Sequence, residues 1–180
     1  MKLFFMSDIH GSLKYAQKGL EAFKKEKADY LILLGDLLYH GPRNSLPEEY
    51  NPKEVANLLN KHKDIIVSVR GNCDAEVDGM ILEFPCMADY SIILHSGKRI
   101  FVTHGHLYDE NRLPNLSKND ILIYGHTHIP MAKSVNGVYI FNPGSISLPK
   151  ENHPSTYGIM EDNNFQIKTF DEKLYMETNF

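Results

Sequence analysis

The chain has 180 residues, 42% of them hydrophobic, and a formal net charge of −4. This size suffices for one hydrophobic core, so we expect a single domain covering residues 1–180. The negative net charge excludes a polycationic surface for long nucleic acid, and two cysteines are too few for the disulfide framework of a secreted protein.

The N-terminal apolar run, residues 3–6, is followed at once by Ser7 and Asp8. It is too short for a signal peptide or a membrane span. The small number of cysteines also suits a reducing compartment. We therefore expect a cytoplasmic protein with no membrane partner.

Strands and helices alternate in the first half of the chain. Apolar runs of strand length predict strands at 3–6, 30–34 and 65–69. Helical spacing of apolar residues predicts helices at 12–25 and around 55–59, the second with a Pro at its start. Such alternation favours a parallel sheet with right-handed crossovers. Residues 39–51, which contain Gly41, Pro42 and Pro47, are predicted to form a surface loop near the mouth of a site.

The second half of the chain is predicted to be mostly β. Its apolar runs are not separated by helices, and they cover residues 90–94, 99–103, 121–124, 131–135, 138–141, 156–160 and 165–170. Asn136-Gly137 between two of these runs is a strong hairpin signal. No Pro/Gly/Ser-rich linker separates the halves, which favours two sheets packed together in one domain.

Residues able to bind metal ions follow five of the apolar runs. They are Asp8, His10, Asp36, Asn72, His104, His126 and His128. Side chains two apart in extended backbone point to the same side, so each of the pairs at 8 and 10 and at 126 and 128 can grip one ion. Gly35 lets the backbone turn so that Asp36 can lie between two ions. Alone, each motif is more often a cap, turn or surface residue, but their joint occurrence in order predicts a metal site.

Mixed carboxylate, amide and imidazole ligands suit Mn²⁺, Fe, Zn²⁺, Co²⁺ or Ni²⁺ more than Ca²⁺ or Mg²⁺. The residues leave the choice among these ions open. Two such ions about 3.5–4 Å apart can activate a hydroxide and neutralise the charge that grows on a phosphoryl group under attack. This chemistry predicts a dinuclear metal-dependent phosphoesterase.

The motifs Asp-x-His, Gly-Asp, Gly-Asn-x-Asp, a lone His and Gly-His-Thr-His occur here in that order. In this the chain resembles the calcineurin-like metallophosphoesterase superfamily and, within it, the small bacterial and archaeal YfcE-type phosphodiesterases, over residues 2–145. The resemblance implies an α/β fold, a four-layer α/β/β/α sandwich of two mixed β-sheets flanked by helices. It implies that residues 142–145 follow the metal-site histidines and close the sheet.

The resemblance also implies which side chains hold each ion. One set is Asp8, His10, Asp36 and His128, and the other is Asp36, Asn72, His104 and His126, with Asp36 as the bridge. We expect two divalent ions, Mn²⁺ first, with Zn²⁺, Fe, Ni²⁺ and Co²⁺ as alternatives. The expected catalytic residues are Asn72, Cys73, Asp74 and His104.

Cys73 departs from the common pattern, in which a histidine at this place protonates the leaving oxygen or binds phosphate. A thiol, with a reference pKa of about 8.5, matches neutral pH less well than an imidazole. The YfcE-like group is similar in having cysteine here. The residue therefore favours phosphodiesters or activated esters over monoesters with poor leaving groups.

Two alternatives remain open at this point. One is a phosphomonoesterase or nucleotide phosphatase. The other is a non-catalytic interaction scaffold like the retromer scaffold subunit of the same superfamily, although every expected ligand is present here. A small phosphodiester substrate is expected, and a homo-oligomer, dimer or tetramer, is plausible by resemblance. His40, Arg43 and Asn111 are candidates to touch phosphate from loops, but a surface position is the favoured interpretation for each of them.

Overall fold

Two β-sheets lie at the centre of the computed structural model, which describes residues 1–180. The strands are β1 (Lys2–Met6), β2 (Tyr30–Leu33), β3 (Ile66–Ser68), β4 (Tyr90–His95), β5 (Lys98–Thr103), β6 (Ile121–Ile123), β7 (Met131–Val135), β8 (Val138–Asn142), β9 (Thr156–Glu161), β10 (Asn164–Thr169) and β11 (Leu174–Asn179). The six-stranded sheet has the order β11-β10-β9-β1-β2-β3, and the five-stranded sheet has the order β4-β5-β6-β8-β7.

Both sheets are mixed. In the first, β1, β2 and β3 are parallel neighbours, and β9 to β11 continue it in antiparallel fashion from β1. In the second, β5, β6 and β8 are parallel, with β4 and β7 antiparallel at the two edges. The expected class, two mixed sheets in an α/β fold, is confirmed.

Two helices, α1 (Leu13–Glu26) and α2 (Pro52–Asn60), pack on the outer face of the first sheet. The Ser12 hydroxyl caps α1 by accepting from the Tyr15 backbone N–H at 3.4 Å, and Asn51 caps α2 in the same way. Pro52 stands at the first turn of α2, where its missing N–H costs nothing. Local sequence thus fixes where both helices begin.

Alternation along β1 divides its side chains between two cores. Phe4 and Met6 pack beneath the helices, while Leu3 and Phe5 pack between the sheets against residues such as Phe141. All of these side chains are buried. A strand that is apolar on both faces reads as a continuous hydrophobic run, which is why the run at residues 3–6 was recognisable.

The outer face of the second sheet has no helix. A third core cluster, built on Phe101, Leu122 and Tyr124, is covered instead by Tyr108 and Leu116 from the irregular segment between β5 and β6. The expectation of flanking helices therefore holds for one side of the structure only. The segment between β5 and β6 lacks a sustained apolar period, so it covers the sheet without forming a helix.

The predicted strands are present with ends that differ by at most one residue, but β11 was missed. Its side chains alternate between exposed and half-buried and it forms a sheet edge, so its apolar signal is weak. The 39–51 loop is tied down by a bridge between Ser12 and Tyr50. Both cysteines are free thiols, and no helix has the length and apolar character needed to cross a membrane.

Candidate metal centre

The residues predicted as metal ligands follow parallel strands, whose carboxyl ends lie on the same side of each sheet. β1 and β2 run parallel and are followed by Asp8, His10 and Asp36, while β5 and β6 run parallel and are followed by His104 and His126. The strand ends of the two sheets face each other. The His126 backbone N–H from the second sheet donates to Asp8 Oδ2 from the first at 3.1 Å, and His104 Nε2 lies 3.4 Å from Asp36 Oδ2. Strand direction therefore brings distant parts of the chain to one place.

Five of the seven predicted ligands have left-handed backbone, with φ of 56° at Asp8, 50° at His10, 53° at Asp36, 62° at His126 and 63° at His128. The expectation that extended backbone aligns the two pairs is therefore wrong. The side chains converge through tight turns, a conformation that is strained for residues other than glycine. Strain of this kind is concentrated at functional sites.

The first group of candidate ligands comprises Asp8, His10 and His128 with one oxygen of Asp36. His128 Nε2 lies 3.2 Å from Asp8 Oδ1 and 3.3 Å from His10 Nε2. His10 Nε2 lies 3.7 Å from Asp8 Oδ1 and 3.6 Å from Asp36 Oδ2. Metal bonds of about 2.0–2.2 Å place neighbouring ligand atoms roughly 3–3.5 Å apart, so these spacings suit a common ion.

The second group is built around His104. Its Nε2 lies 3.4 Å from Asp36 Oδ2 and 3.1 Å from Asn72 Oδ1. The His126 ring lies beside it, with the two ring centroids 5.0 Å apart. Asp36 Oδ2 is thus within 3.6 Å of an imidazole nitrogen in each group, on His10 and on His104. One carboxylate oxygen stands between two sets of ligands, as a bridge requires.

Backbone carbonyls orient three of the imidazoles. Nδ1 of His10 donates to the Tyr39 carbonyl at 2.9 Å, and Nδ1 of His104 donates to the Leu34 carbonyl at 2.6 Å. Nδ1 of His128 donates to the carbonyl of Leu148 at 2.5 Å. A neutral imidazole that donates from Nδ1 carries its lone pair on Nε2, and here each Nε2 points into the site. Metal-binding histidines are held in this way.

Two observations indicate that the site is built to bind cations. Asp8 Oδ2 is held by the Ser7 hydroxyl at 2.6 Å and the His126 backbone N–H at 3.1 Å, but Asp8 Oδ1 is buried and has no hydrogen-bond donor. The Nε2 atoms of His10 and His128, both acceptors in the neutral form, face each other across 3.3 Å. Buried lone pairs without donors are unfavourable, and divalent ions would satisfy them.

The ionisation of the group is consistent with this fit. Burial lowers the pKa of His10 and so favours its neutral, ligating form. Burial acts to raise the pKa of Asp8 and of Asp36, but the nearby imidazoles outweigh it and lower the pKa of each. For His104 burial acts downward, but contact with the two carboxylates raises the pKa to about 9. An incoming ion would therefore displace a proton from His104.

Asp74, expected to be catalytic, lies beneath the site and binds its backbone. Its carboxylate accepts from the backbone N–H groups of Asp36 at 2.8 Å, Leu37 at 2.8 Å and Gly71 at 2.7 Å. Burial, reinforced by the charge of Asp36, raises the pKa of Asp74 to about 6, against the effect of these donors. All of these bonds go to backbone groups, so the Asp74 carboxylate fixes the turn that carries Asp36.

Residues 142–147 hold the two halves of the site together. Asn142 Nδ2 donates to the Gly125 carbonyl at 2.7 Å. The hydroxyls of Ser145 and Ser147 donate to the Asp8 carbonyl at 2.9 and 2.8 Å. The resemblance pointed to residues 142–145 but not to their contacts. These contacts form only because the chain passes from the second sheet back to the first after β8.

A cavity of about 440 Å³ opens beside the two groups. Asp36, Asn72 and His126 line it together with two exposed cations, Arg43 from the 39–51 loop and Lys150. The loop is therefore at the mouth of the site, as expected. Lys150 was missed, because it follows the last motif and carries no signal of its own.

Cys73 lies at the wall of this cavity. Its backbone N–H donates to Asp36 Oδ1 at 2.8 Å, and its sulfur accepts from Asn72 Nδ2 at 3.2 Å. Burial, reinforced by Asp36, raises the pKa of the Cys73 thiol to about 12. The thiol is thus protonated near neutral pH and is a weak acid.

The remaining polar candidates lie outside the cavity. His40 packs between the rings of Tyr39 and Tyr50, and Asn111 is exposed in the segment that covers the second sheet. His106 has its ring centroid 5.4 Å from that of His104 but does not line the cavity. Of the loop candidates, only Arg43 is placed to meet a substrate.

Comparison with known proteins extends this picture. A family model described as the calcineurin-like phosphoesterase superfamily domain matches residues 1–164. Phosphodiesterase YfcE of Escherichia coli (strain K12) is 49% identical over 162 residues, covering 90% of this chain and 88% of that protein. Phosphodiesterase MJ0936 of Methanocaldococcus jannaschii is 31% identical over 153 residues, covering 80% of this chain and 83% of that protein.

The likeness holds in three dimensions. A solved structure of YfcE, described as a phosphoesterase from E. coli, has a TM-score of 0.97 and 44% sequence identity to this chain. It covers 99% of both chains. The match thus includes both sheets and the edge where the candidate ligands meet.

Proposed function

Since this chain belongs to the calcineurin-like phosphoesterase superfamily and is a metal-dependent phosphodiesterase, we propose that its seven converging side chains hold two divalent ions. The single observation that carries the ligand assignment is the position of Asp36 Oδ2. This oxygen lies 3.6 Å from His10 Nε2 and 3.4 Å from His104 Nε2, so one carboxylate can serve both ions. The proposed sets are those given above, with Asp36 shared.

Mn²⁺ is the proposed ion. The donor set mixes two carboxylates and one amide with four imidazoles, which suits a borderline transition ion and leaves Zn²⁺, Fe, Co²⁺ and Ni²⁺ as competitors. When bound, two such ions supply Lewis acidity and a water of lowered pKa. The Nδ1 contacts to carbonyls fix the orientation of the His10, His104 and His128 rings, with Nε2 directed toward the ions.

The protein side chains around the cavity bind and orient the phosphate. Arg43 and Lys150 stand at the mouth, where their positive charges attract the phosphodiester anion and stabilise negative charge on a departing oxygen. Asn72, with its oxygen toward His104, fixes the second group of ligands. Cys73 is too weak an acid to assist poor leaving groups, so diesters with good leaving groups are the favoured substrates.

The size of the cavity supports a small substrate. A volume of about 440 Å³ is in the range of pockets for small ligands and far below what a long nucleic acid requires. The net charge of −4 agrees with this. The interaction-scaffold alternative is not favoured, because a scaffold has no need of buried carboxylate oxygens and imidazole lone pairs aimed at one another.

Two further proposals concern organisation. Residues 1–180 form one domain, since β1 from the start of the chain pairs with β9 from near its end.

Copies of the chain associate through β4, an open sheet edge that exposes Tyr90, Ile92 and Leu94. Sedimentation of the protein and of a Leu94→Lys variant would test the association.

The test of the proposed function starts from protein purified without chelator or affinity metal. Elemental analysis should find two divalent ions per chain. Loading with each of the five candidate ions, followed by hydrolysis of bis(p-nitrophenyl) phosphate and of p-nitrophenyl phosphate, should give the highest rate with Mn²⁺ and with the diester. Asp36→Asn should lose metal and lower the rate by more than about 100-fold.

Asp64→Asn is the matched control, because Asp64 is exposed and far from the strand ends that carry the ligands. It should keep both ions and the full rate. Full activity after complete removal of metal, or a faster monoester than diester reaction, would contradict the proposal.

A further inference from the structure

An apolar recess of about 420 Å³ lies beside the metal centre. Its walls come from four parts of the chain: the segment after β2, the start of α2, the turn after β3 and the segment that follows this turn. The lining residues are Leu38, Tyr39, Tyr50, Pro52, Lys53, Cys73, Ala75, Val77, Asp78 and Ile81. Unlike the cavity over the ligands, it is lined mainly by hydrophobic side chains. It contributes nothing to the site as described so far.

Apolar side chains around the recess are unusually open to solvent. Val77 is 59% exposed, Ile81 48% and Tyr39 43%. Single exposed apolar residues are common, but several of them around one depression indicate a binding surface. Their exposure leaves favourable burial free energy for an occupant to gain.

The recess begins where the metal centre ends. Cys73 lines both spaces, and its sulfur lies within 4.8 Å of ligand atoms of His10 and Asp36. Tyr39 also joins them, since its carbonyl accepts from His10 Nδ1 while its side chain lines the recess. A group attached to a phosphate at the metal centre needs only to pass the Cys73 sulfur to enter it.

The walls are formed in advance of any ligand. The Cys73 backbone is bonded to Asp36 Oδ1 at 2.8 Å, and a Cβ at Gly41 would stand 2.9 Å from the Cys73 sulfur, so the 39–51 loop presses closely on this residue. Tyr50 is fixed by its bridge to Ser12. Binding here would therefore require little ordering of the protein.

We propose that this recess is the subsite for one organic substituent of the phosphodiester, an apolar or aromatic group that stays on phosphorus during hydrolysis. The proposal rests on the proposed function. Charge distribution assigns the two substituents. Arg43 and Lys150 face the mouth, where a departing oxygen becomes negative. Apart from the exposed Lys53 and the buried Asp78, the lining of the recess is uncharged and suits an uncharged retained group. The substrate class is thus an asymmetric diester with one apolar substituent.

Two diesters with the same leaving group test this assignment. They are phenyl p-nitrophenyl phosphate and methyl p-nitrophenyl phosphate, used with the Mn²⁺-loaded protein. The kcat/KM for the phenyl ester should exceed that for the methyl ester by about tenfold or more. Ile81→Ser should reduce this ratio by about fivefold through a higher KM for the phenyl ester, and should leave the methyl ester unchanged.

Met80→Ser is the matched control. Met80 is the adjacent residue, 83% exposed, and does not line the recess. This variant should keep the wild-type ratio, and both variants should keep wild-type metal content and melting temperature. A second variant, Val77→Ser, should act like Ile81→Ser.

Binding measurements separate this proposal from the proposed function. Calorimetric titration with diphenyl phosphate and with dimethyl phosphate requires no turnover, and the diphenyl compound should bind about tenfold tighter, an advantage that Ile81→Ser removes. If binding shows this pattern while neither ester is hydrolysed, the subsite stands and the proposed function fails. If both esters are hydrolysed and Ile81→Ser leaves the ratio unchanged, or if it dissociates an oligomer, the subsite proposal is overturned.

Discussion

Gly125→Ala should disrupt the metal centre from beneath. Gly125 joins β6 to His126 and has no positive φ, so the substitution creates no backbone strain. A Cβ there would stand 1.8 Å from the Ser7 hydroxyl oxygen and 2.8 Å from Asp8 Oδ2. The hydroxyl must therefore move, and its 2.6 Å hydrogen bond to Asp8 breaks.

The expected cost has two parts. Loss of a buried hydrogen bond to a charged acceptor costs about 1.5–3 kcal/mol. Overpacking of a buried site by one methyl group costs about 1–3 kcal/mol. For a chain of this length, their sum corresponds to a fall in melting temperature of roughly 6–20 °C. Metal content should fall as well, because Asp8 loses one of the two donors that orient it.

Calorimetric melting and elemental analysis measure both effects. Gly79→Ala is the control, since a Cβ at Gly79 meets nothing nearer than 3.7 Å and should change stability by no more than about 0.5 kcal/mol. Adding Ser7→Gly to Gly125→Ala should cost less than the sum of the two single changes by at least about 1 kcal/mol. Wild-type stability and metal content in Gly125→Ala, or strict additivity in the double variant, would refute the reasoning.

Four further predictions follow from the site and its surroundings. His126→Ala should lower metal content to one ion per chain, because only the second group includes this residue. Lys150→Ala and Arg43→Ala should each lower kcat/KM for an activated diester about three- to tenfold, measured by initial rates. Removing metal by chelation should lower the melting temperature by about 5–10 °C, reversed by adding Mn²⁺. Burial, reinforced by two nearby carboxylates, raises the pKa of Cys86 to about 11, so iodoacetamide near neutral pH should label it only in unfolded protein, as mass spectrometry can show.

Most of the candidate site could be predicted from sequence because each motif follows an apolar strand. A strand buried on both faces, such as β1 or β2, is a continuous apolar run, and the residue that ends it lies at a sheet edge. The positions of Asp8, Asp36 and His104 after three predicted strands, now β1, β2 and β5, therefore already located them at strand ends. The two sheets could be predicted because strands alternate with helices before residue 90, whereas the apolar runs after it are not separated by helices.

Other features depend on contacts between distant segments and leave no local pattern. The carbonyls of Tyr39, Leu34 and Leu148 orient imidazoles far from them in sequence, and backbone groups carry no residue-specific signal. The role of Asp74 depends on a turn 37 residues away at Leu37. β11 was missed because four of its six residues are exposed and the strand lies at the edge of its sheet.

The left-handed turns bear on how such a protein can change over generations. Replacing His10 or His126 by glycine would remove a ligand and also relieve about 1 kcal/mol of conformational strain. This relief offsets part of the stability that is lost with the bound ion and with the packing of the ring. A lineage released from selection for hydrolysis can therefore lose ligands at a reduced cost and keep the same fold, so persistence of the architecture is a poor guide to whether a descendant still turns over substrate.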